Sequence, residues 1–282
     1  MRGVTVQDFG ITGVLGRRLW KEPPVLVLGM HRSGTSVLAE LLHDLGVWMF
    51  PARDRSNYAE SRLFQNVDNR LLRRWGATWF RIGPALGRLG DPAQVQAAAA
   101  TVRRAMRLRL VIQHFGVDYL RAASQDRYGA WGFKDPRATV LFPVWDRVFP
   151  GARVLHILRD GRDVALSILR REGRPAKISP VLALLRGGFP AAFALWEEYV
   201  REGLRHEEAL GERCLRLRYE DFQVAPEEHL RRVLAHVGMD ASPPAVTAAA
   251  KRVRPSAARD PGIWVAEVAA ARSPLAEGLG YD

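Results

Sequence analysis

Two stretches of this chain carry side chains whose types and spacing suit the binding of anions. The first is Gly29-Met30-His31-Arg32-Ser33-Gly34-Thr35-Ser36, directly after the apolar run Val25 to Leu28. Its two glycines and the hydroxyl beyond them have the Walker A spacing, but Thr35 stands where that motif requires lysine. A glycine-containing turn between a strand and a helix aims several backbone N–H groups and a helix N-terminus at one point, where an anion is stabilised. The lysine that reaches the β and γ phosphates in triphosphate hydrolysis is missing, and Arg32 supplies a cation earlier in the loop. The loop is therefore expected to hold a phosphate-like anion rather than a triphosphate tail. A junction whose glycines only relieve crowding is the plainer alternative.

The second stretch is Leu158-Arg159-Asp160-Gly161-Arg162-Asp163, with Ser167 further along. It follows the apolar run ending at Leu158. Ligands of parallel sheets bind at the carboxyl ends of strands, where Arg159 is placed. Ser167 is expected about two turns into the next helix, so Arg159 and Ser167 together could clamp a second phosphate. Asp160 as a helix N-cap, with Arg162 and Asp163 on a solvated face, accounts for the neighbours without a ligand. It does not account for Arg159.

Positioning these residues requires strands that alternate with helices. Short apolar runs at Val25 to Leu28, Trp131 to Lys134, Arg153 to Leu158 and Cys214 to Arg218 read as buried strands. Helical spacing marks Thr35 to Leu45, Glu60 to Trp75, Asp91 to about Ala123, the segment from Asp160, Phe193 to Leu210, Glu227 to Val237 and Pro244 to Arg252. Asp91 is a natural N-cap with Pro92 at the first helical position. The pattern specifies an α/β fold in three layers, a central parallel sheet flanked by helices, of the P-loop type. Residues 23–282 read as one domain preceded by an N-terminal arm, 1–22.

Composition narrows the class. The chain has 282 residues with 48% hydrophobic and 26% charged side chains, an ordinary globular balance that excludes disorder and collagen. Its one cysteine, Cys214, forbids an intrachain disulfide or a cysteine metal cluster and fits a cytoplasmic location. No run approaches the length of a membrane span. Net charge is +12, and with only four lysines among the 42 cations, 38 are arginines, the side chain that grips phosphate and sulfate bidentately. The charge is scattered, so small anionic ligands are expected rather than nucleic acid.

Together the two anion-binding stretches resemble the 5′-phosphosulfate loop and 3′-phosphate motif of the sulfotransferases that use 3′-phosphoadenosine 5′-phosphosulfate (PAPS). Trp131-Gly-Phe-Lys134-Asp135-Pro136-Arg137 resembles the Lys-Asp-Pro segment of the bacterial and tyrosylprotein branches. Leu217-Arg218-Tyr219-Glu220-Asp221-Phe222 resembles a later Arg-Tyr-Glu-Asp element of the same enzymes. The order and spacing match from about residue 24 to 238. The resemblance implies transfer of a sulfuryl group from PAPS to an acceptor hydroxyl, with 3′,5′-adenosine bisphosphate (PAP) as product and no metal. It implies that Arg32, Ser33, Gly34, Thr35 and Ser36 hold the phosphosulfate, that Arg32 neutralises the leaving oxygen, and that Arg159 and Ser167 hold the 3′-phosphate. Glu60 is similar to the glutamate that opens the corresponding helix in tyrosylprotein and bacterial members and is the expected base. His31 is the rival base, and Lys134 could touch the transferring sulfonate or simply pair with Asp135. The C-terminal Arg-Lys-Gly segment of cytosolic members is absent, and Arg254, Ser256 and Arg259 could replace it.

The acceptor, a small molecule or a glycan, is expected against helical insertions around 75–128 and 173–190 and the stretch Trp48 to Ser56, which carry Trp48, Trp75, Trp79 and arginines. The N-terminal arm reads as loosely ordered, with a docking helix for a homodimer as the alternative. Two other functions remain open at this stage. One is a small-molecule kinase, opposed by Thr35; the other is a non-catalytic protein that binds an anionic polymer.

Overall fold

β1 (Val25–Leu28) is buried along its whole length, which is why it is apolar at every position rather than at alternate ones. Successive side chains point to opposite faces: Val25 and Val27 join one apolar core, Leu26 and Leu28 the other. The structure is a computed structural model, and it describes residues 23–106, 109–116, 118–119, 128–172, 182–254 and 261–281. The N-terminal arm 1–22, residues 173–181, Ser256 and Arg259 lie outside the described residues.

β1 lies at the centre of a five-stranded parallel sheet with β2 (Val47–Trp48), β3 (Ala130–Lys134), β4 (Arg153–Leu158) and β5 (Cys214–Arg218), in the order β2-β3-β1-β4-β5. Val25 pairs with Gly132 of β3 and with Arg153 of β4, so three strands run in step to one carboxyl edge. One face is covered by α1 (Thr35–Asp44), α9 (Pro226–His236) and α10 (Pro243–Ala250). The other carries α2 (Arg62–Arg74), α4 (Pro92–Met106), α5 (Arg137–Val148), α6 (Gly161–Glu172) and α7 (Leu182–Leu210), with α3 (Gly83–Leu89) outside them. A short α8 (Tyr219–Val224) continues directly from β5, and α11 (Val265–Ala270) and α12 (Pro274–Gly278) close the described chain. The fold is α/β with a central parallel sheet between helical layers, as the alternation of strand and helix signals requires.

Three helices differ in detail from the sequence reading. The helix expected from Glu60 begins at Arg62, because Ser61 before it is extended (φ −63°, ψ 121°), after a turn in which Tyr58 and Ala59 hold left-handed backbone (φ 55° and 54°). The Asp54 carboxylate accepts from the Arg62 amide at 2.9 Å and so caps that helix. The helix expected from Asp91 to Ala123 is described over Pro92–Met106 and is helical again from Arg109, with Leu110–Phe115 wound as a π-helix. Its start was legible, since Asp91 Oδ1 accepts from the Ala93 amide at 2.8 Å. The helix around Phe193 extends back to Leu182 across a break at Gly188.

The packing of α2 matters most for the site. Phe64 stacks on Phe133 of β3 at 3.7 Å, and Asp68, one turn on, accepts from the Trp145 indole of α5 at 2.8 Å. These contacts fix the start of α2, and the turn before it, over the carboxyl end of β3.

Candidate active site

The loop after β1 is shaped by three residues with positive φ. At Gly29 (φ 144°) a Cβ would come within 2.6 Å of the Ile157 carbonyl, so the loop can pass β4 only without a side chain. At Gly34 (φ 94°) a Cβ would come within 2.3 Å of the Tyr219 ring. Arg32 adopts φ 74°, strained for a residue with a side chain and of the kind that gathers at functional sites. The Gly29 amide donates to Thr139 Oγ1 at 2.8 Å, which ties the loop to α5. The amide end of α1 receives no side-chain cap and has no acidic residue in its first turn. Its positive dipole end is therefore not neutralised from within that helix.

The second stretch meets the loop directly. Arg32 Nε donates to Ser167 Oγ at 2.8 Å, and Arg159 Nη1 donates to the Arg32 carbonyl at 3.2 Å. Arg159 is buried at the end of β4, over the Tyr219 ring at 4.9 Å, and its Nη2 also donates to Asp163 at 2.5 Å. Asp163 thus serves Arg159 rather than a solvated face. Asp160 accepts from the Arg162 amide at 2.8 Å, in keeping with a capping role. Burial, then Arg171, lowers the Arg32 guanidinium from its ordinary value.

Glu60 sits at the centre of a second cluster and is 5% exposed. Lys134 Nζ donates to its Oε1 at 3.0 Å, while Arg137 Nη2 and Gln65 Nε2 each donate to its Oε2 at 2.8 Å. Lys134 Nζ also donates to Ser36 Oγ at 3.1 Å, and Ser36 donates to the Tyr58 carbonyl at 2.8 Å. Lys134 therefore bridges the loop and the carboxylate, and its partner is Glu60. Asp135 is taken instead by Arg137, whose Nε lies 2.9 Å from Oδ1. Burial works to raise the Glu60 carboxyl, but Lys134 and then Arg137 outweigh it and hold the group below the usual carboxylate range. Burial lowers the Lys134 ammonium despite Glu60. Burial, then Asp135, pushes the Asp68 carboxyl well above the carboxylate range.

His31 is 8% exposed, with Trp79 at 4.6 Å and Tyr199 at 6.4 Å between ring centroids. Its Nε2 finds no hydrogen-bond partner among the described residues. Burial, then Arg137, Lys134, Arg171 and Arg32, holds the imidazole neutral.

All the residues singled out by sequence, His31 to Ser36, Glu60, Lys134, Arg159 and Ser167, thus stand along the carboxyl edge of the sheet, in or beside these two clusters. Trp79 reaches the loop through His31, but Trp48 is buried in the core, its indole donating to the His114 carbonyl at 3.0 Å. Sequence reasoning gave no role to Arg137, Asp68 or Tyr219. Arg137 follows Lys134 closely enough to have been suspected, whereas Tyr219 meets Gly34 only through the sheet.

The model of the sulfotransferase family matches residues 23–243. Among solved structures, the sulfotransferase domain of the Synechococcus PCC 7002 olefin synthase superposes with a TM-score of 0.52 at 17% identity, over 94% of this chain and 98% of that one. A sulfotransferase from Alicyclobacillus acidocaldarius gives 0.46 at 17% identity, over 93% and 97%. A mouse sulfotransferase complexed with PAP gives 0.46 at 13% identity, over 98% and 86%. No curated protein matches significantly. The first of these structures shares the fold, and because the family match runs from just before β1 to the start of α10, the chain belongs to the sulfotransferase family.

Proposed function

We propose that this enzyme moves the sulfuryl group of PAPS to a hydroxyl of a small-molecule or glycan acceptor, giving PAP and a sulfate ester. The observation that supports this donor is the junction of Arg32 with Ser167 and Arg159. It sets two anion-binding elements side by side, so that one ligand with a phosphosulfate and a separate phosphate can meet both. The buried hydroxyls of Ser33, Thr35 and Ser167 and the buried guanidinium of Arg159 fit such a ligand.

PAPS supplies an activated sulfuryl group whose departure leaves a stable phosphate. The amides of Arg32 to Ser36, with the Ser33, Thr35 and Ser36 hydroxyls, would hold the phosphosulfate, and Arg159 and Ser167 the 3′-phosphate. Arg32 would turn from Ser167 to the bridging oxygen and neutralise it as the sulfur–oxygen bond breaks. The acceptor oxygen forms the new bond to sulfur, and its proton passes to Glu60. An ionised carboxylate offers about four acceptor positions, and three on Glu60 are taken, which leaves one on Oε1 for that proton. Lys134 stands between Ser36 and Glu60, so its movement toward the sulfonate would release Oε1 and raise its basicity when the acceptor is in place.

One observation favours a second reading of the base: the unpartnered Nε2 of His31. Turnover separates the two, because Glu60→Gln abolishes it under the first reading and His31→Gln under the second. We also read 23–282 as one cytoplasmic domain whose acceptor contacts come from the segments around 75–128 and 173–190.

The experiment for the donor is a thermal shift with PAP, 5′-AMP and magnesium-ATP. A ligand at about 100 times its Kd adds roughly 2.7 kcal/mol, enough to see. Stabilisation by PAP well above that by AMP is expected. Stabilisation by magnesium-ATP alone, or by none of the three, overturns the reading.

A further inference from the structure

Away from the donor loop, α2, α3 and α4 enclose a groove of about 550 Å³, within the range of small-molecule sites. Its floor is apolar: Val67 and Leu71 of α2 face Ala98 and Val102 of α4, all four buried in the core. Its rim is cationic, with Arg70 and Arg74 one turn apart on α2, Arg88 at the end of α3, and Arg109. Among the described residues, no acidic one lines it.

Three of the rim arginines are also left without counter-ions among the described residues, and the fourth, Arg88, has only the Asp91 carboxyl nearby. Arg70, Arg74 and Arg109 have neither a hydrogen bond nor an ion pair among the described residues, and Arg88 bonds only to the neutral Gln94, at 3.0 Å. Arg55, Arg201, Arg205, Arg213 and Arg231 stand in contrast, each within 3.4 Å of a carboxylate. Four guanidinium groups around one apolar trough repel each other, and an anion among them relieves that repulsion while donating hydrogen bonds satisfy it.

We propose that this groove binds a monomeric anionic amphiphile, with its apolar body along Val67, Leu71, Ala98 and Val102 and its carboxylate or phosphate among the four arginines. Another occupant fits less well. The chain's own segment 1–22 carries Arg2, Arg17, Arg18 and Lys21 against Asp8 and Glu22, so it meets the rim with like charge. The transfer site is set apart: Glu60 precedes α2, whereas Arg70 and Arg74 lie in its last two turns and Arg88 and Arg109 on other segments, and a helix of that length spans about 20 Å. The groove is therefore an accessory site and stands whether or not PAPS is the donor.

The test is calorimetric titration of the full chain with laurate below its micelle concentration, beside dodecyltrimethylammonium, inorganic phosphate and phosphatidylglycerol vesicles. Laurate is expected to bind saturably at one site, with no binding of the cation and only weak binding of phosphate. Arg74→Glu should weaken laurate on the order of tenfold or more, the loss of a charge-assisted contact. Thr101→Trp, at an exposed position on the groove wall, should abolish binding by filling the trough, with a melting curve like that of the parent chain as the fold control. Equal binding of cation and anion, phosphate as tight as laurate, binding to vesicles alone, or laurate affinity untouched by both substitutions would each overturn the proposal.

Discussion

Glu60→Gln is the substitution with the most to say, because it keeps the shape of the side chain and removes only its charge. The carboxylate meets donors on both oxygens, Lys134 on Oε1 and Arg137 with Gln65 on Oε2. A glutamine can turn its carbonyl to one side only, so its amide must face donors on the other. Lys134 would be left 1% exposed with a hydroxyl and no contacting anion, whereas Arg137 keeps Asp135. Removing one partner of a buried pair costs about 3–5 kcal/mol, and the lower end suits an isostere that retains one hydrogen bond. In a chain of this size that lowers Tm by roughly 6–12 °C.

The pH dependence is the sharper reading. Glu60 is lowered in the folded state, so its contribution is present above its unfolded pKa, about 4.3, and is lost only as pH falls through the folded value. At neutral pH the wild-type pair is therefore fully expressed. Lys134 is lowered by burial and supported by Glu60; without that support its folded pKa falls further. A lysine with a depressed folded pKa binds fewer protons folded than unfolded, so the variant gains stability as pH rises toward the ordinary lysine value. The Tm deficit should be largest near pH 7 and shrink by pH 9.5. Melting curves for the parent, Glu60→Gln, Lys134→Met and the double variant across that range read it directly, and the double variant should be more stable than the two losses added. A deficit that stays constant from pH 7 to 9.5, or no deficit at all, refutes a charged Lys134–Glu60 pair.

The other predictions concern the neighbouring groups. Arg159→Ala and Ser167→Ala should erase the preference for PAP over AMP in thermal shift while AMP stabilisation changes little; an equal loss for both ligands places the 3′-phosphate elsewhere. Gly34→Ala forces a Cβ against the Tyr219 ring at φ 94°, so it should destabilise the fold by about 2 kcal/mol and remove the PAP shift together, as urea unfolding with and without PAP will show. Asp68→Asn should be tolerated at pH 6 and be more stable than the parent at pH 9. A carboxyl raised on folding gives its stability below its unfolded pKa and loses it as pH rises through the folded one, and asparagine has no proton to lose. A variant weaker at pH 9 than the parent sinks the reading of Asp68 as a carboxyl raised on folding.

What could be read from the sequence follows from how locally each feature is encoded. β1, its glycine turn and the start of α1 are contiguous, and an apolar run followed by Gly29 can hardly do anything else. Arg159 was legible because the strand before it is apolar to its last residue. The short β2 was not, since two residues, Val47 and Trp48, carry no period. α5 was missed because it holds Pro143 and is buried on nearly all sides, leaving no polar face to mark its turn. The π-helical winding of Leu110–Phe115 was not legible either, since nothing in Leu-Val-Ile-Gln-His-Phe marks it off from an α-helix.

The site itself divides along the same line. Hydroxyls and glycines in the loop declare themselves by spacing, but the setting of Glu60 depends on four separate segments meeting at the end of β3. Two arguments that look alike in sequence then part company. Lys134 beside Asp135 suggests a local ion pair, yet Asp135 takes Arg137, two residues on, so Lys134 is free to span Glu60 and Ser36. Two cations, Lys134 and Arg137, face two carboxylates, Glu60 and Asp135, inside the buried cluster. The charge of an incoming anion must then be met by Arg32 and Arg159 at the loop. That separation lets the cluster keep Glu60 ionised and aligned without drawing the donor into it, and it leaves Lys134, the one residue bonded to both sides, as the group through which loading of the loop is felt at the carboxylate.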